Sequence, residues 1–91
     1  MRAFSRTNRF KKDVKRAERR GKDMAKLKAM LERLIEGDPL PPECKDHPLR
    51  GDFASSRDCR IEPDWVLIYT VTEKGAHVCF ERTGTHSDLF R

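Results

Sequence analysis

Cysteine is scarce in this chain of 91 residues, and its three copies, Cys44, Cys59 and Cys79, form no C-x-x-C pair. That spacing excludes a zinc ribbon or a redox dithiol. An odd count argues against a disulfide framework, so free thiols packed as small apolar residues in a reducing cytoplasm are expected. No apolar run is long enough to cross a bilayer, and nothing at the N-terminus resembles a secretory leader, so no membrane partner is expected. Repeats and low-complexity stretches are missing too. A chain this short implies one domain over residues 1–91, with a core just large enough to stand without staples. Acids are sparse in the first third, where Asp13, Glu18, Asp23 and Glu32 face a crowd of bases including Arg6, Arg9, Lys11, Lys12, Lys15, Arg16, Arg19 and Arg20.

The whole chain carries 20 Lys and Arg against 15 Asp and Glu, a formal net charge of +5. A basic surface attracts polyanions, and Lys11, Lys12 and Lys15 are candidate contacts to RNA phosphates. The same run also suits a solvated helix face, so charge alone permits nucleic-acid binding without diagnosing it.

Periodicity supplies the architecture. Residues 2–5 suit a short opening strand. Asn8 is expected to cap a helix with Phe10, Val14 and Ala17 at helical spacing, ended by Gly21. Asp23 caps a second helix whose stripe is Met24, Leu27, Met30, Leu31, Leu34 and Ile35, stopped at Gly37. Asp38-Pro39-Leu40-Pro41-Pro42 must run extended. Weak strand signals follow at Cys44–Leu49 and Phe53–Ile61. Trp65–Thr72 is a strong one, and its near-continuous apolar run predicts a central strand covered on both faces. Glu73–Ala76 turns the chain into a returning strand, His77–Arg82, and residues 85–90 close as a helical turn. The expected class is α+β: an N-terminal strand and a two-helix hairpin packed on a small antiparallel sheet.

Polar, titratable residues crowd this second half. RNA carries its own nucleophile, the 2′-hydroxyl. A nuclease acting on it needs a base near that hydroxyl, an acid near the leaving 5′-oxygen and cations around the phosphorane, with no obligatory metal or other cofactor. His47 and His86 lie in polar stretches with no apolar periodicity, as titrating groups should. His77, at a turn edge, reads as structural. The histidines lack the paired spacing of metal ligands. Alternation places Asp58, Arg60 and Glu62 on one strand face, with Cys59 and Ile61 on the other. Asp64 follows Pro63 in a turn. Arg82 precedes Thr83-Gly84, where a strand ends and backbone N–H groups come free, a combination that suits phosphate.

His47-Pro48-Leu49, Arg57-Asp58, Glu62-Pro63-Asp64-Trp65-Val66-Leu67-Ile68-Tyr69 and the segment from Phe80 through Glu81-Arg82-Thr83-Gly84-Thr85-His86 to Phe90 resemble YafQ-type toxins. These belong to the RelE/ParE superfamily of bacterial type II toxin–antitoxin systems. The resemblance extends into the helices at Lys11-Lys12-Asp13-Val14-Lys15 and Lys22-Asp23-Met24. It implies a RelE-like microbial RNase fold and a ribosome-dependent mRNA interferase. Such a toxin enters the A site of the 70S ribosome, contacts ribosomal RNA and cuts messenger RNA, leaving a 2′,3′-cyclic phosphate or its opened form. It also implies a DinJ/RelB-like cognate antitoxin, and operator DNA bound only through the toxin–antitoxin complex. The family's catalytic positions fall on His47, Asp58, Asp64 and His86, with Phe90 for base stacking or site closure. Many relatives carry histidine two residues after the Arg-Asp, where this chain has Arg60, which cannot exchange protons. What remains is a two-histidine scheme. His86 is the acid, His47 or Asp64 is the base, Asp58 orients a partner, and Arg60 and Arg82 stabilise the phosphorane. Two other readings accompany it: a ribosome-binding inhibitor that does not cut, and a ParE-like gyrase poison.

Overall fold

Thr7, rather than Asn8, starts the first helix. Its hydroxyl accepts from the Phe10 N–H at 3.0 Å and donates to the Glu81 carbonyl at 2.8 Å. One side chain therefore caps the helix and ties it to a distant strand, which the asparagine one residue later is not placed to do. The computed structural model describes residues 1–51 and 55–90. β1 (Ala3–Arg6) leads into α1 (Asn8–Arg19), which buries Phe10, Asp13 and Ala17. Gly21, at φ 79°, makes the left-handed turn into α2 (Met24–Glu36), where Asp23 accepts from the Ala25 N–H and Gly37, at φ 78°, ends the helix. These are the breaks that glycine permits at a helix C-terminus.

A 3-10 turn at Pro42–Cys44 precedes β2 (His47–Pro48). This strand is shorter than the Cys44–Leu49 expectation, because Lys45 sits at φ 49° and cannot join a ladder. β3 (Arg57–Glu62), β4 (Trp65–Thr72) and β5 (His77–Gly84) follow, and α3 (His86–Phe90) closes the chain. Phe53, the expected start of the β3 strand, lies outside the described residues.

Among the described residues the sheet has five strands in the order β1-β5-β4-β3-β2. The β2 to β5 pairs are antiparallel, as the hairpin signals require, while β1 lies parallel to β5 with Ala3 opposite His77. The sheet is therefore mixed, a refinement of the expected α+β class.

One sheet face carries Cys59, Leu67, Tyr69, Val78 and Phe80 against Phe10, Met30 and Leu34 of the helices. Trp65 joins that layer beside Ala17 and Leu27, donating its indole N–H to Thr83 Oγ1 at 3.0 Å. The opposite face buries Val66 and Ile68 beneath Leu89 of α3 and half-buried Leu49. Each buried aliphatic side chain contributes roughly 1.5–3 kcal/mol, so Leu89 is a substantial anchor for so short a helix. β1 stops opposite Phe80, leaving the next stretch of β5 without a strand partner on that side. There Asp13 of α1 substitutes for a strand, accepting from the Thr83 N–H at 3.2 Å and from Arg82 Nε at 2.7 Å. A side chain thus satisfies an otherwise bare sheet edge.

Candidate active site

The polar residues gather on the face that the α1–α2 layer leaves open. At its β2 side, the left-handed backbone at Lys45 turns that residue's carbonyl toward His47, whose Nδ1 lies 2.6 Å away. A carbonyl only accepts, so Nδ1 carries the proton and Nε2 is left as the outward acceptor. The loop is pinned by Asp46, which accepts from the Tyr69 hydroxyl at 2.6 Å and from Arg57 Nε and Nη2 at 3.2 and 3.3 Å. Across the ladder, His47 faces Asp58. Asp58 is 4% exposed, and its Oδ1 lies 3.3 Å from His47 Nδ1 without forming a hydrogen bond. Burial pushes the Asp58 carboxyl up, against the opposing pull of His47, His86 and Arg60. Of those three groups His47 stands in contact with the carboxylate, and His86 and Arg60 act on it through their charge.

At the other side, Asp64 in the β3–β4 turn accepts from both the backbone N–H and the Nδ1 of His86, at 3.0 and 2.7 Å. These bonds hold the Asp64 carboxyl below its ordinary range, so it is an anion that accepts and His86 Nδ1 is the donor. His86 Nε2 is left free, as in His47. The His86 and Phe90 rings lie 6.0 Å apart, a tilted pair at the two ends of α3. Two imidazoles whose Nδ1–H groups are held by acceptors leave Nε2 for chemistry, as a base in the neutral ring and as an acid in the imidazolium.

The structure thus brings together His47, Asp58, Arg60, Asp64, His86 and Phe90. Arg60 makes no side-chain hydrogen bond among the described residues, so its charge is uncommitted. Glu62 departs from the expected face. A bulge between Arg60 and Glu62 breaks the alternation, and Glu62 instead meets Lys22 and Lys26 at 3.3 and 3.1 Å. Arg82 is not a free phosphate clamp, since it grips Asp13 through Nε and Nη2. Lys11, Lys12 and Lys15 are exposed on α1, in the layer opposite the histidines. Sequence reasoning missed Asp13 and Asp88. The Thr85-x-x-Asp88 spacing is a capping signature that could have drawn attention to the second. Among the described residues no group of three or more His, Cys, Asp or Glu is gathered as a metal ion would require.

A family profile described as "Bacterial toxin of type II toxin-antitoxin system, YafQ" matches residues 2–91. The mRNA interferase toxin YafQ of Escherichia coli is 52% identical over 82 residues, 89% of this chain and 87% of that protein. A crystal structure of E. coli YafQ superposes with a TM-score of 0.93 at 46% identity, covering 100% of both chains. The E. coli DinJ–YafQ complex matches with a TM-score of 0.91 at 47% identity, again over 100% of both chains.

Proposed function

The chain belongs to the YafQ family of bacterial type II toxin–antitoxin toxins, and from that membership we propose a single-domain mRNA interferase, residues 1–91, that cuts message in the ribosomal A site. The observation that carries this reading is a pair of imidazoles each beside a carboxylate, His47 at 3.3 Å from Asp58 and His86 at 2.7 Å from Asp64, and each with Nδ1 tied to an acceptor and Nε2 left for chemistry.

His47 Nε2 takes the proton of the 2′-hydroxyl. The 2′-oxygen bonds to phosphorus while the bond from phosphorus to the 5′-oxygen breaks, and His86, entering the step as the imidazolium with both ring nitrogens protonated, gives that oxygen its Nε2 proton. A 2′,3′-cyclic phosphate and a 5′-hydroxyl result. Asp64, the other candidate base, is the weaker one, because two hydrogen bonds from His86 occupy its oxygen and depress its basicity. Its role is to orient His86. Arg60 supplies positive charge to the phosphorane, and Asp58, opposite His47 on the β2–β3 ladder, holds a negative charge beside that imidazole. Phe90 offers an exposed ring beside His86 on which a base can stack.

The partners follow from the same reading. They are a DinJ/RelB-like antitoxin, the 70S ribosome with its RNA and message, and operator DNA through the antitoxin complex, in the cytoplasm. No helix among the described residues is long and apolar enough to cross a membrane.

The test is primer-extension mapping of a reporter message on translating ribosomes, with this protein and its His86→Ala variant. New ends inside codons that need the ribosome and vanish in the variant are the expected result. Stalled ribosomes without new ends, unchanged in the variant, would replace cleavage by simple blockade.

A further inference from the structure

α3 is a five-residue helix, too short to be stable by itself, yet it carries His86 at its first position. Asp64 and the buried Leu89 hold it from the sheet side. A third attachment comes from α1. Arg20 Nη1 donates to Asp88 Oδ2 at 2.7 Å and Nη2 to Oδ1 at 3.4 Å, while Arg16 Nη2 lies 3.6 Å from the same carboxylate. Asp88 in turn accepts from the Thr85 N–H at 3.0 Å, and the Asp88 N–H donates to Thr85 Oγ1 at 3.1 Å, a reciprocal cap immediately before His86. Arg16 also grips Asp13 at 3.0 Å, and Asp13 holds Arg82 and the Thr83 N–H.

The charges alternate without a break, Arg20–Asp88–Arg16–Asp13–Arg82, from the exposed Arg20 through the buried Asp13 to the half-buried Arg82. Both ends of the β5–α3 junction are fastened to one helix by this chain of contacts. Gly84 is what lets the layers approach, since a Cβ there would lie 2.9 Å from Asp88 Oδ2 and 3.1 Å from Arg16 Nη2.

We propose that Asp88, clamped by Arg20 and Arg16, is a positioning residue for His86: it fixes the pitch of α3 so that the imidazole meets both Asp64 and the leaving oxygen. The inference rests on His86 acting as the acid. It assigns Arg16 and Arg20 a different task from the other basic residues of α1, since both are spent on protein carboxylates. Neither Asp88 nor Arg20 touches RNA in this scheme. Their loss therefore lowers kcat and leaves KM in place, whereas a phosphate contact at Arg20 would raise KM.

The experiment compares ribosome-dependent cleavage by wild type, Asp88→Ala, Asp88→Glu and Arg20→Gln, with backbone 15N relaxation of residues 86–90 in each free protein. Asp88→Ala is expected to lose about tenfold in kcat with KM within about twofold of wild type, and to show a more mobile α3. Asp88→Glu, which keeps the carboxylate, recovers most of the loss. Arg20→Gln, at an exposed site outside the buried core, gives a smaller loss of the same kind. Unchanged kcat in Asp88→Ala and Arg20→Gln would overturn the proposal. So would a kcat loss with α3 as ordered as in wild type, or a rise in KM without a fall in kcat. If the wild type itself cuts nothing, the nuclease reading fails, and the relaxation data still judge the clamp.

Discussion

Asp58 and Asp64 are the same residue type in opposite electrical surroundings. Asp64 is exposed, hydrogen-bonded by His86 and held below its ordinary range. Asp58 is buried, its Oδ1 lacks a hydrogen bond, and its carboxyl is pushed up by desolvation. A carboxyl whose folded pKa exceeds its unfolded value favours folding below the unfolded value, and that contribution is lost as pH rises through the folded one. At neutral pH the charged Asp58 therefore works against the fold. Asp58→Asn should raise stability at pH 7 by about 1 kcal/mol, with the gain shrinking as pH falls through the raised folded value and gone by roughly pH 4, while cleavage falls because His47 loses the carboxylate that faces it. Thermal melts across pH check it, and a variant that melts lower than wild type at pH 7 would refute the reading. The polar residues themselves were legible in the sequence as titratable groups without apolar periodicity. The Asp64–His86 pairing was not. It follows from Val66 opposite Gly84, a register that sets Asp64 opposite His86 when continued to the strand ends. A bulge between Ile68 and Tyr69 shifts that ladder, so counting back from the hairpin turn gives the wrong partner.

Elements were legible where local chemistry decides them. Gly21, Asp23 and Gly37 punctuate the helices as their side chains or lack of them require, and β4 runs from Trp65 to Thr72 as its β-branched and aromatic content predicts. The parallel pairing of β1 with β5 left no local trace. Its four residues are all exposed and show no alternation, so their place is set by contacts distant in sequence. Glu62 was misplaced for a related reason, since a bulge is a property of two strands together. The β5–α3 junction shows how closely elements depend on one another. Ala at position 84 would put its Cβ 3.0 Å from Asp88 Cβ as well as against Arg16, so α3 or α1 must move. Gly84→Ala should cost about 1–3 kcal/mol from overpacking and lower kcat by at least about tenfold as His86 shifts. Wild-type melting and turnover in this variant would show that the junction has slack the geometry denies it.

Over the whole molecule, the proposed function divides its two tasks between the two sheet faces. The histidines, Asp58 and Arg60 occupy the face opposite the α1–α2 layer, while much of the +5 net charge comes from α1 and its neighbours. Within α1 the bases divide again. Arg16 meets Asp13 and Asp88, whereas Lys11, Lys12 and Lys15 project as exposed side chains. A ribosome presents phosphates over an area far wider than one scissile bond, so exposed lysines remote from the chemistry are suited to docking. Docking charge acts on association and adds nothing at the phosphorane, so its removal should raise KM and leave kcat alone. Replacing Lys11, Lys12 and Lys15 together by Gln should also flatten the slope of log affinity against log salt by about 3, close to one unit for each phosphate that a lysine no longer neutralises. Titrating the proteins against ribosomes over a range of salt concentrations measures that slope. An unchanged slope would place the docking charge elsewhere on the molecule. A fall in kcat at constant KM would tie α1's lysines to the chemistry, in conflict with their place on the other side of the sheet.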